Sequence, residues 1–294
     1  MSEENKDKKE NWLKRAFNSI RLFTARFRRS KLDNALINCA KTGKDIRAAF
    51  LIASGANPAA QNNAALKEAA ANGHLPMLRL LLKHGVKANA ENSAALHESI
   101  RHGERSVAKY LMQNGADIHA LNEEAIIIAA SLNNVRMMEL MLDSKADINA
   151  RNGEPLKVAA LNGRHHVVSL LIRSGADPQA GDNAPLYWAC RYGHRGVCEV
   201  LTGAGADINA RHGVMLDVAA AFGHVSVLKF LLQKGANVAP DGGLALRWAE
   251  KNGQAHCAAV LKEHLEKRKP APQIPALPPK PQLPPAAPPG GSSP

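Results

Sequence analysis

The sequence predicts an all-α fold, a solenoid of about eight stacked helix-turn-helix units with a concave binding face. Three observations carry this. The pair Gly55-Ala56 recurs as Gly85-Val86, Gly115-Ala116, Lys145-Ala146, Gly175-Ala176, Gly205-Ala206 and Gly235-Ala236, always 30 residues on. Two apolar columns keep the same step: Leu36, Leu66, Leu96, Ile126, Leu156, Leu186, Leu216, Leu246, and Leu51, Leu81, Leu111, Met141, Leu171, Leu201, Leu231, Leu261. Apolar residues make up 45% of the 294-residue chain but aromatics only 4%, so the core must be aliphatic and alanine-rich. A fixed period of this length marks units that bury their apolar faces only on their neighbours.

Residues 153–182 show one unit. Leu156, Ala159 and Ala160 have the i, i+3, i+4 spacing of a buried helical stripe. Gly163 ends that helix by offering a left-handed residue. Val167, Val168, Leu170, Leu171 and Ile172 make a second stripe, which Gly175 ends, and residues 176–185 are expected to cross back as an extended turn. The arithmetic divides residues 33–269 into units 33–62, 63–92, 93–122, 123–152, 153–182, 183–212, 213–242 and 243–269. The first unit carries polar Asn38, Lys41 and Thr42 beside Ile37, and the last loses its Gly-Ala pair, as end caps should.

The runs from Ala65 to Gly85 and from Ala146 to Gly163 resemble ankyrin repeats. The period departs from the usual 33 or so residues. The missing residues fall between Asn149-type and Leu156-type positions, so the family's projecting β-fingers should be clipped. The family's Thr-Pro-Leu-His box survives only as Pro155-Leu156, Pro185-Leu186 and His97, which puts its hydrogen-bond network in doubt. The resemblance implies a protein partner, held on the short fingers and the exposed end of each first helix, just ahead of the helix-stopping glycine. There the sequence places Arg101 with His102, Leu132, Leu161, Arg191 with Tyr192, and Phe222. Large apolar groups and arginines are unexpected at a solvent-facing helix end, and Tyr and Arg dominate interface hot spots.

The flanks differ from the array. Net charge is +12, of which residues 1–31 hold +6, residues 262–294 hold +3 and the body only +3. Basic and acidic residues alternate within the body, so nucleic acid is not an expected partner. Residues 1–10 read as a disordered charged start and residues 11–31 as a basic amphipathic helix. Trp12, Phe17, Ile20, Phe23 and Phe27 share one face, while Arg21 and Arg28 lie on the other. Such a helix can dock on the first repeat, lie on an anionic membrane surface, or serve as a partner's target helix. Residues 270–294 contain eleven prolines and read as a disordered, polyproline-II-like tail. Its Pro275, Pro278 and Lys280 fit a ligand pattern for an SH3-like domain, and a solubilising tail is the plainer reading.

No chemistry-bearing constellation appears. Four cysteines without a CxxC pair read as reduced thiols of a cytoplasmic protein, at most peripheral to a membrane. No secretory signal and no transmembrane run is expected. His74, His194 and His224 share one repeat phase, which marks them as structural, and no cluster completes a metal set. Residues 40–45 hold a Gly-Lys but lack the rest of a phosphate loop. The expectation is a monomeric, non-catalytic adaptor needing no cofactor and no metal, with a membrane-tethered scaffold or host-directed effector as the alternative.

Overall fold

The computed structural model describes residues 28–239 and 241–268. These form eight helix pairs: α1 (28–42) with α2 (Asp45–Ala53), α3 (Ala60–Ala71) with α4 (Leu75–Lys83), α5 (Ala90–Arg101) with α6 (Arg105–Gln113), α7 (Ala120–Ser131) with α8 (Val135–Asp143), α9 (Ala150–Leu161) with α10 (His165–Arg173), α11 (Ala180–Arg191) with α12 (Arg195–Gly203), α13 (Ala210–Ala221) with α14 (Val225–Gln233), and α15 (Gly243–Lys251) with α16 (Ala255–Arg268). No strand occurs among the described residues. α1 runs without a break across residues 31–33, where the sequence reading set its boundary between flank and array.

Both apolar columns are the core. Every member is buried except Leu246, which is partly buried in the last pair. The odd-numbered helices pack on one another more intimately than the even-numbered ones do, so the odd row forms the inner side of the stack. Alanines at its contact positions, such as Ala69, Ala129, Ala159 and Ala219, are fully buried and let the inner helices approach closely.

The connection between units is not the extended turn expected at 176–185. Each inner helix from α3 to α13 opens with three consecutive left-handed residues: 61–63, 91–93, 121–123, 151–153, 181–183 and 211–213. An N–H four residues on closes each turn, as from Asn183 to the Gln179 carbonyl at 2.9 Å. L-residues disfavour this conformation, Asn, Asp and His least. The middle position accordingly holds Asn62, Asn92, Asn122, Asn152, Asp182 and His212. This tight turn replaces the β-finger and accounts for the short period. Arginines one unit on staple it. Arg151 Nε donates to the Asn122 carbonyl at 2.9 Å, and Arg211 Nε to the Asp182 carbonyl at 2.7 Å.

Leu121 occupies the first left-handed position and is 53% exposed. Left-handed backbone costs an L-residue about 1–2 kcal/mol, and glycine's extra chain entropy returns about 0.5–1 kcal/mol of that. Leu121→Gly is therefore expected to stabilise the array by about 0.5–1 kcal/mol, read as a rise in the urea midpoint.

Neighbouring units are latched by histidine. The Nε2–H groups of His74, His194 and His224 donate to the carbonyls of Lys41, Leu161 and Arg191 at 3.2, 3.0 and 2.8 Å. Each ring lies over the glycine of the previous unit, Gly43, Gly163 or Gly193. Arg164 makes the equivalent bond to the Ser131 carbonyl, and in the last unit Asn252, just ahead of its own glycine, reaches the Ala221 carbonyl. These histidines hold the stack together.

His97 behaves differently. It is buried with no partner for Nε2, so the network that the Thr-Pro-Leu-His resemblance left in doubt is missing at this atom. Burial lowers its pKa below the ordinary 6.5. Above that value both folded and unfolded chains hold it neutral. Below it the unfolded chain binds the proton first, so stability falls with pH until the folded-state pKa is passed. His119, raised by Glu123, works in the opposite sense. His97→Leu is therefore expected to flatten the loss of urea midpoint between pH 7.5 and 5.5.

Candidate protein-binding surface

The inner face changes character along the stack. At the position one helical turn ahead of the predicted contact pair, successive units place Glu68, Glu98, Ile128, Val158, Trp188, Val218 and Trp248. The first half of the array is thus polar here and the second half apolar and aromatic. Two of the chain's three tryptophans stand in this column.

The second half forms one connected cluster. The Arg191 guanidinium lies between two rings, 5.6 Å from the Trp188 centroid and 4.7 Å from that of Phe222. It also donates to the Tyr187 hydroxyl at 3.3 Å. Trp188 stacks on Tyr192 at 6.0 Å and meets Tyr187 edge-on at 5.3 Å. Arg211, paired with Asp182, covers Tyr187. Arg191 has no carboxylate within ion-pair distance among the described residues, so rings fix its plane and leave its charge uncompensated at the surface.

Beyond Phe222 the face opens into a groove of about 340 Å³ between α13 and α15, lined by Val214, Asp217, Val218, Phe222, Leu244 and Trp248. Phe222, Leu244 and Trp248 are 47%, 55% and 41% exposed, and Tyr192 beside them is 50% exposed. Lys251 lies over the Trp248 ring at 4.9 Å. Burial lifts the Asp217 carboxyl above the usual range, although the Ala245 N–H opposes this.

The structure brings Arg191, Tyr192 and Phe222 together and separates the other four predicted contacts from them. Arg101 is paired with Glu98 at 2.7 Å, and His102 bonds the Glu98 carbonyl through its ring at 3.0 Å. Leu161 is half-buried. Leu132 packs partly buried against the core. Its unit lacks the stop glycine, and Leu132 takes extended backbone (φ −85°, ψ 156°). Trp188 and Trp248 stand one turn ahead of the pair before the glycine, in a column whose change from Glu to Trp is visible in the sequence; Tyr187 and Leu244 lie in other phases and carry no such signal.

Elsewhere, the cleft between α14 and α16 is lined by Lys229, Glu263, His264 and Lys267, with Lys267 paired to Glu263 at 2.6 Å. On the outer side of the first two pairs, Ile46 and Phe50 are 86% and 71% exposed. The Cys190 and Cys198 sulfurs lie 3.7 Å apart, both buried, and the Cys198 thiol and burial push the Cys190 thiol well above its usual pKa. Among the described residues no group of three His, Cys, Asp or Glu could hold a metal ion, and no helix is long and apolar enough to cross a membrane. Trp12, Phe17, Ile20, Arg21, Phe23 and Phe27 lie outside the described residues, as do Pro275, Pro278 and Lys280; Arg28 is exposed in the first turn of α1 that is described.

Inner helices with short, exposed ends, latched at four units through the residue after the stop glycine (His74, Arg164, His194 and His224), are the geometry against which the chain can be compared with known proteins. The family model for ankyrin repeats in three copies matches residues 28–122 and 126–212, and the single ankyrin repeat model matches residues 215–242. The chain belongs to the ankyrin repeat family. No curated protein matches it. Among solved structures, the human ASB11 ankyrin repeat domain is similar, at 26% identity and a TM-score of 0.60, over 69% of this chain and 99% of that one. Ankyrin repeats are generally protein–protein interaction modules and typically non-catalytic scaffolds.

Proposed function

We propose that this ankyrin protein is a monomeric, non-catalytic adaptor that holds a protein partner on the inner face of α11, α13 and α15. One observation carries the reading. Arg191 is stacked between Trp188 and Phe222 with no carboxylate partner among the described residues. A partner carboxylate or carbonyl can complete that arginine, while partner side chains enter the groove beside Phe222. Arginine and large aromatics clustered this way supply most of the energy at interfaces. The test is capture of an identified partner by the full chain and by Tyr192→Ala/Phe222→Ala. Loss of capture by the folded double variant is expected; unchanged affinity would remove this face from the function.

A second reading has its own observation. The exposed Ile46 and Phe50 sit on the pair that follows the basic amphipathic sequence 11–31. A membrane-surface tether built from that end would sediment with anionic vesicles at low salt and be released as salt rises. Full chain remaining in the supernatant at low salt would end it.

A further inference from the structure

We propose that the groove between α13 and α15 binds a proline-rich strand and that this strand is the chain's own segment 270–294, which lies outside the described residues. The inference rests on the reading above that this face binds protein, and it adds what occupies the face when no partner does.

Three observations converge. The groove walls are aromatic and apolar: Phe222, Leu244 and Trp248 line it, with Tyr192 and Trp188 continuing the surface. Proline rings pack on such rings, and a polyproline-II strand is already extended, so little ordering entropy opposes its docking. The second observation is polarity. Among the described residues, neither the Trp188 nor the Trp248 indole N–H nor the Tyr192 hydroxyl has a hydrogen-bond acceptor. The surface therefore offers donors. A proline-rich strand offers carbonyl acceptors and few N–H groups, since proline has none. Eleven prolines in residues 270–294 remove the N–H at those positions, so the segment carries more carbonyl acceptors than backbone donors.

The third observation is position. In α16, Leu265 lies against Gly242, two residues before Leu244 of the groove wall. The last turns of α16 thus pack near the residue pair that leads into the groove wall. The 26 residues from position 269 span on the order of 80 Å when extended, several times the width of a helix pair. Tethering of this kind gives an effective concentration in the millimolar range, so a strand whose Kd is well below millimolar occupies the groove most of the time. The segment then masks the partner surface, and a partner must displace it.

The test uses a dye-labelled synthetic peptide of residues 270–285 and the full chain. Fluorescence anisotropy is measured on wild type and on a tail variant with Pro275, Pro278, Pro279 and Pro284 each changed to Ser. The expected result is weak binding to wild type, whose groove is filled, and binding at least about fivefold tighter to the tail variant. Adding Trp248→Ala to the tail variant should abolish binding. Adding Trp248→Phe instead, which keeps the ring but removes the indole donor, should weaken it severalfold. Urea unfolding of each variant confirms that the array is intact. A tail variant that binds no peptide at millimolar concentration, or binds it equally with and without Trp248, overturns the proposal. A partner still captured through Arg191 and Phe222 in that case would leave the adaptor reading standing while the tail assignment fails. Equal peptide binding by wild type and tail variant would show that the groove takes proline-rich strands only from other proteins, which also overturns the assignment to this chain's own tail.

Discussion

Gly193→Ala is expected to destabilise the protein by about 3 kcal/mol, far more than the same change at Gly253. The two glycines share a repeat phase and nearly the same backbone, φ +76° and +70°. An added Cβ costs each about 1–2 kcal/mol for left-handed backbone. At Gly253 nothing lies within 4 Å of that Cβ. At Gly193 it would sit 2.5 Å from His224 Nδ1, inside any real contact. The ring must leave, and its bond to the Arg191 carbonyl, worth about 1 kcal/mol, goes with it. The latch anchors the end of the helix that carries Arg191, so this variant should also lose partner affinity. Urea unfolding of both variants measures the difference. Equal losses would show that the histidine ladder is incidental.

The second large effect concerns binding. Arg191→Ala is expected to weaken an identified partner by at least about 2 kcal/mol, or roughly 30-fold, the range of interface hot spots. Arg191→Lys should recover only part of this, because an ammonium cannot stack in the slot between Trp188 and Phe222 or offer a planar fork. Stability should fall by about 1–2 kcal/mol for Arg191→Ala, the sum of two exposed cation–π contacts, and by less for Arg191→Lys. Isothermal titration on the two variants separates these effects. Full recovery by lysine would reduce Arg191 to a point charge.

Much of this architecture is legible in the sequence because stacking imposes one physical rule at each unit. Positions such as Leu66 through Leu216 face a neighbouring unit on both sides, so only an aliphatic side chain fits, and the step of 30 is visible. The left-handed turns were not read, although Asn62, Asn92, Asn122 and Asn152 stand in plain sequence. Asparagine signals many kinds of turn, and only the structure shows three left-handed residues in succession. The site divides similarly. Arg191, Tyr192 and Phe222 sit at the phase where an inner helix ends, so their size and charge stood out. Trp188 and Trp248 stand one turn deeper, where a tryptophan in sequence is as readily a core residue. Leu132 differs from its counterparts in its extended backbone and lies partly buried against the core.

The central claim is that the aromatic half of the inner face holds the partner. Photo-crosslinking in cells tests it most directly, with a benzophenone amino acid placed singly at positions 192, 222, 102 and 46 of the full chain. The account predicts one protein adduct from positions 192 and 222 and none from 102 or 46. Adducts arising only from 102 or 46 would contradict it.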